Sequence, residues 1–247
     1  MSSKKKNNHK KKPQAPAKKP EKQSSKVLLI ALICVGVIAA FLAGGKIITT
    51  FTSGSGDPTP SGSEPAYITT ADLDPNLIYY ADIEMEAYGT IVVQLDQNAA
   101  PVTASNFVKL AQSGFYNGLT FHRIMENFMM QGGCPEGTGY GGSENMIYGE
   151  FAENGYDNPL SHTRGTISMA RSSNFNSARS QFFIVHQDYY INSLDGKYAA
   201  FGYVIEGMEI VDAICTSANP IDSNGRIAAE DQPVIRSITI RTAPAAE

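Results

Sequence analysis

Residues 121–133 read FHRIMENFMMQGG. Thr120 to Ile124 and Phe128 to Gln131 are strand-like runs, separated by Asn127 and closed by two glycines. Side chains alternate across a strand, so Arg123, Met129 and Gln131 are expected on one face, whereas Phe128 needs a bulge or bend to join them. Residues 180–185, SQFFIV, add a second amide, Gln181, and two aromatics, Phe182 and Phe183. One guanidinium beside an apolar floor, with amides at the rim, suits a neutral ligand bearing a carbonyl and a greasy ring. It suits a phosphate poorly.

Outward from this stretch, short strand-like runs recur between Gly and Asn turns: 80–86 and 91–95 as a hairpin, then 166–170, 181–186, 200–204 and 235–241. One helix is expected from Asn98, a capping residue, through Pro101 to Gly114, and a second over 208–214. Many short strands with two helices argue for a barrel or a sandwich, and periodicity does not choose between them.

The blocks FHRIMENFMMQGG, GTGYGGS (137–143), GTISMA (165–170), SQFFIV and LDGKYAAFGYVIEGMEIVDAI (194–214) closely resemble the cyclophilin family of peptidyl-prolyl cis-trans isomerases. They occur in family order over residues 77–243. The resemblance implies a mainly β fold, a closed eight-stranded antiparallel barrel capped by two helices, with its substrate groove on the outside. Carried over position by position, the family's catalytic arginine matches Arg123 and its neighbouring histidine His122. The proline pocket matches Phe128, Met129, Phe183 and Leu194. The groove glutamines match Gln131 and Gln181, the main chain that pairs with extended substrate matches Ala170, Arg171 and Ser172, and the glycine loop begins at Gly137. The implied substrate is a proline-containing polypeptide.

The chain departs from the family's pattern at four places. Arg171-Ser172 stands for a frequent Asn-Ala, and Cys134 for a frequent Asp. Ser193 replaces a groove tryptophan that contacts cyclosporin, which leaves Tyr189 or Tyr190 to supply an aromatic and predicts weak inhibition. Tyr198 replaces a pocket histidine, keeping a ring and a hydrogen-bonding tip.

Residues 137–142, GTGYGG, lack the strand before, the helix after and the lysine of a phosphate-cradling loop. No Gly-x-Ser-x-Gly elbow surrounds Ser168 or Ser180, no Asp–His spacing suggests a base, and no carboxylate pair flanks the apolar cluster. His122, His162 and His186 lack zinc-ligand spacing. The expectation is non-covalent catalysis with no metal and no cofactor, or a proline-peptide binding or chaperone module on the same fold.

Before this domain the composition changes. Residues 1–26 carry ten Lys and one Glu, against ten basic and twenty-three acidic residues in the rest. The tail is low in complexity and has no aromatics, so a disordered cytoplasmic segment is expected and nucleic acid is not an expected partner. Residues 27–45 are uncharged and apolar, long enough at about 1.5 Å per residue to cross a core of about 30 Å. The preceding lysines place the N-terminus in the cytoplasm and the domain outside the cell membrane. Cleavage after the small residues 43–45, giving a secreted domain, is the alternative; acylation at Cys34 is disfavoured by Ile33. Residues 46–76 read as a Ser/Gly/Pro-rich tether, 77–243 as the isomerase domain and 244–247 as a tail. A monomer is expected, with Cys134 and Cys215 as free thiols or as one disulfide.

Overall fold

The computed structural model describes residues 67–245. Their strands are β1 (Tyr67–Ile68), β2 (Leu77–Met85), β3 (Gly89–Leu95), β4 (Thr120–Met125), β5 (Met129–Cys134), β6 (Met146–Ile147), β7 (Thr166–Met169), β8 (Phe182–Val185), β9 (Ala200–Glu206) and β10 (Ile235–Pro244). The helices are α1 (Pro101–Gln112), α2 (Ile191–Leu194) and α3 (Met208–Ser217). Eight strands form one antiparallel sheet in the order β10-β2-β3-β9-β7-β8-β5-β4.

The sheet curls until its edges meet, but the ladder is not closed, which corrects the expected closed barrel. Between β4 and β10 there is only the isolated bridge Thr120↔Val234. Around it, Gly118 N donates to the Ile235 carbonyl, Ile235 N to Leu119 and Phe121 N to Pro233. Pro233 has no N–H to return a bond. From His122 onward the β4 edge is taken by another segment: Ile227 N donates to the His122 carbonyl at 3.0 Å and Ile124 N to the Gly225 carbonyl at 2.8 Å.

Inside the curl lies an aromatic centre of Phe107, Tyr116, Phe121, Phe182 and Phe201, with ring centroids 5.1–5.8 Å apart in several edge-to-face pairs. The α1 residues Val102, Phe107, Val108 and Ala111 cover one end and the α3 residues Val211, Ile214 and Cys215 the other. Each large apolar side chain so buried stabilises the fold by about 1.5–3 kcal/mol before entropy is counted. Cys134 and Cys215 are free and buried.

Two local expectations change. Asn98 does not cap α1; Ala100 is the N-cap residue and offers no side-chain bond. The buried carboxylate of Glu150 does the work from 48 residues away, accepting from Val102 N at 2.9 Å and from the amide and hydroxyl of Thr103 at 2.8 and 2.6 Å. Negative charge at that end also suits the helix dipole. The folded part also begins before Leu77. β1 pairs in parallel with β6, and Ile68 and Leu73 pack on the core, so residues 67–76 are not tether. Among the described residues no helix is long and apolar enough to cross a membrane. The expected span at 27–45 lies outside the described residues, as does the tail at 1–26.

Candidate active site

The outer face of the sheet carries a second apolar cluster, and alternation along two strands explains it. On β5 and β8 the residues Met130, Phe182 and Ile184 point into the main core. Their neighbours Met129, Phe183 and Val185 face outward and bury against Leu194 of α2. Met125, Phe128, Ala170, Tyr190 and Tyr198 pack around them. The ladder sets these in a row: Arg123 opposes Gln131, Gln131 opposes Phe183, and Met125 opposes Met129, which opposes Val185.

Phe128 joins the cluster from the hairpin turn rather than from a bulge. Asn127 takes a left-handed backbone at φ 65°, and Phe128 N donates to the Met125 carbonyl at 3.0 Å. His186, just after β8, clamps the turn: its Nδ1 accepts from Asn127 N at 2.9 Å, its main-chain N–H donates to the Phe128 carbonyl, and its Nε2 lies 3.1 Å from Asp212. Tyr190 then covers Phe128 with ring centroids 4.4 Å apart. Of the two candidates for an aromatic here, Tyr190 sits on the site and Tyr189 is 76% exposed.

Arg123 is fixed along its length. Its Nε donates to the Asn224 carbonyl at 2.7 Å, and Nη1 donates to Gln131 Oε1 at 3.2 Å. Nη1 also lies 3.8 Å from the Met129 sulfur and Nη2 3.3 Å from that of Met125. The guanidinium carbon stands 5.8 Å from the Phe128 ring centre. The two glutamines form a relay with one self-consistent orientation. Gln181 Nε2 donates to the carbonyls of Gly139 and Gly141 at 2.8 and 2.7 Å, which turns its oxygen to Gln131 Nε2 at 2.8 Å. The Gln131 oxygen must then face Arg123.

The remaining expected residues divide. Tyr198 stands edge-on to Phe183 at 5.9 Å and Leu194 is 5% exposed beneath them. Gly137 does not meet Gln131 or Gln181; its carbonyl accepts from Gln232 Nε2, and the loop reaches the site through Gly139 and Gly141. Ala170 N is tied to the Gln181 carbonyl and Ser172 N to the Ser177 hydroxyl. His122 is the extra residue of a bulge on β4, matched by Gly133 on β5. Its ring is buried, and neither nitrogen has a hydrogen-bond partner. Burial, then the adjacent Arg123 charge, pushes its pKa down to about 4, so it is neutral at pH 7.

Sequence spacing missed one constellation. Beneath Phe183, Ser168 Oγ lies 2.9 Å from His162 Nε2, and His162 Nδ1 lies 2.7 Å from Asp195. This is the order of a hydrolase triad, but Ser168 and His162 are 0% and 1% exposed and the imidazole stacks 6.0 Å from Phe183. No substrate carbonyl reaches that hydroxyl. The row braces the pocket wall instead. Among the described residues no group of His, Cys, Asp and Glu could hold a metal ion.

Outside a curled antiparallel sheet stand a fixed cation, an apolar socket and oriented amides, an arrangement that suits non-covalent handling of a neutral ligand with a carbonyl and an apolar ring. The family model "cyclophilin type peptidyl-prolyl cis-trans isomerase" matches residues 80–243, and the chain belongs to that family. It is 44% identical over 137 residues to a peptidyl-prolyl cis-trans isomerase of Helicobacter pylori, covering 55% of this chain and 80% of that one. Against a Synechococcus elongatus isomerase it is 51% identical over 114 residues, 46% and 72% of the two chains. Isomerase B of Bacillus subtilis matches at 44% over 125 residues, 51% and 82%. A solved cyclophilin-type isomerase of Cryptosporidium parvum, crystallised with the dipeptide Ala-Pro, superposes with a TM-score of 0.57 at 29% identity, covering 66% and 98%. The chain is a peptidyl-prolyl cis-trans isomerase.

Proposed function

We propose that Arg123 is the catalytic group and that the outer cluster holds the proline ring. Rotation about a peptide bond costs roughly 18–20 kcal/mol because resonance must be broken. Before proline both isomers are populated, and they exchange over tens of seconds or longer. At the twisted point the imide nitrogen regains a localised lone pair. A donor aimed there binds the transition state better than either ground state, which lowers the barrier. Bringing a rate near 0.01 per second to about 10 per second requires about 4 kcal/mol. One charge-assisted hydrogen bond plus positioning is of that size.

The observation that carries this reading is the fixed placement of the Arg123 fork beside Phe128 and Met129. In it, Phe128, Met129, Phe183 and Leu194 receive the ring, and Gln131, oriented by Gln181, steers the fork and accepts from the peptide main chain. Ala170, Arg171 and Ser172 border the extended polypeptide, with the glycine loop at the rim. His122, neutral and turned toward Gly139, contributes shape rather than a proton. The Ala-Pro dipeptide present with the Cryptosporidium parvum relative supports a proline-containing substrate. The test is cis/trans exchange on short X-Pro peptides: catalysis should rise linearly with the chain's concentration, and unaltered exchange would leave only a binding module.

We further propose that the clients are exported polypeptides and that residues 27–45 anchor the domain outside the cell membrane. The uncharged run and the lysines before it support this. N-terminal sequencing of membrane-associated chain should start before Val27; a start near Lys46 would mean secretion.

A further inference from the structure

Arg171, whose main chain the family resemblance sets at the groove, has a side chain in an unusual setting. Its guanidinium carbon lies 4.8 Å from the Tyr198 ring centre, 4.9 Å from Phe151 and 5.1 Å from Phe175. Two main-chain oxygens complete the cage: Nε donates to the Lys197 carbonyl and Nη1 to that of Ser172, each at 2.9 Å. Phe151 and Phe175 meet edge-to-face at 5.4 Å, which stiffens the enclosure. Every contact is to a neutral group. Arg164, Arg226, Arg236 and Arg241 each hold a carboxylate, whereas among the described residues none lies within ion-pairing distance of Arg171.

We propose that Arg171 forms a subsite for a carboxylate of the bound polypeptide, so that the enzyme favours proline segments with Asp or Glu a few residues from the proline. The inference rests on the reading that substrate proline occupies the Phe183 socket. Tyr198 connects the two places: one ring contact separates it from Phe183 and another from Arg171. Three rings and two carbonyls fix the cation before any ligand arrives, so little side-chain entropy remains to be lost on binding. The rings attract the charge without neutralising it, unlike a carboxylate. A guanidinium presents paired donors that match the two oxygens of a carboxylate. The surroundings make such a preference diagnostic. Residues 27–247 hold twenty-three acidic and ten basic residues, a field that repels acidic peptides. A preference for acid must therefore come from a local, fixed cation.

The experiment measures catalysed exchange by the full chain on proline peptides carrying Glu or Gln at each position from three before to two after the proline. At one position the Glu peptide should have a kcat/KM about five- to tenfold above its Gln counterpart, and raising salt should shrink that ratio. In Arg171→Gln the ratio should fall to about one, whatever happens to the absolute rates. Arg171→Lys, which keeps the charge without the fork, should retain part of it. A ratio near one at every position in the unaltered chain would overturn the proposal. So would a ratio that survives in Arg171→Gln, or rates that fall equally for both peptides, which would make Arg171 a brace for Tyr198 alone. Turnover without acid preference sinks this inference only; no turnover on any peptide sinks the isomerase reading with it.

Discussion

His122 illustrates how little a residue's neighbourhood in sequence says about its chemistry. It adjoins Arg123, yet the β4 bulge turns it into a dry space where neither ring nitrogen is bonded. Its folded pKa of about 4 lies below the ordinary histidine value of about 6.5. The unfolded chain therefore takes up a proton first as pH falls, and stability is lost between about 6.5 and 4, by up to about 3 kcal/mol. His162, also held low by burial, acts in the same direction. Denaturant unfolding at pH 7 and pH 5 should show this loss, and His122→Leu should remove a large part of it. An equal slope in the variant would mean that the imidazole is not dry. The resemblance at this position located the residue, but only coordinates show which way the ring turns.

At the scale of elements, the 222–227 loop matters more than its composition suggests. Gly225 sits at φ 85°, and a Cβ there would come within 2.7 Å of the Ile124 carbonyl and into the Met125 side chain. That close approach lets Ile124 N bond to Gly225 and brings the Asn224 carbonyl to Arg123 Nε. Asp222 holds the turn by accepting from Asn224 N and Arg226 N. Gly225→Ala should push the loop from β4, cost about 1–2 kcal/mol in backbone strain, and lower kcat/KM at least tenfold by releasing the Arg123 fork. Stability and exchange rate measured on one preparation check it; unchanged turnover would mean that the Asn224 contact does not position Arg123. Nothing local in the sequence signals this, because the partners lie 101 residues apart. Separation also hid the Glu150 cap of α1, 48 residues from Val102, and the Asp195 end of the Ser168–His162 row, 33 residues from His162. By contrast, the long strands and both longer helices were legible from alternation and helix signals within a few residues. The short parallel pair β1–β6 was not, since two residues carry no period.

Over the described residues, β5 and β8 bury apolar side chains on both faces. One face fills the core around Phe107, and the other builds a socket around Met129 and Phe183. The site is thus a by-product of packing, and rigid for that reason. That Arg123, Met129 and Gln131 share a face was readable in FHRIMENFMMQGG; that the sheet would stop short of closure was not, because Pro233 and the 222–227 segment are far from β4 in sequence. The central claim is that a fixed guanidinium steadies the half-turned imide. It is tested most directly by measuring, on one X-Pro peptide, both catalysed exchange and binding affinity for the chain and for Arg123→Ala. The account predicts turnover lower by about a hundredfold or more with affinity changed less than about threefold, since the lost bond belongs to the transition state. Equal losses in turnover and affinity, or retained turnover, would contradict it.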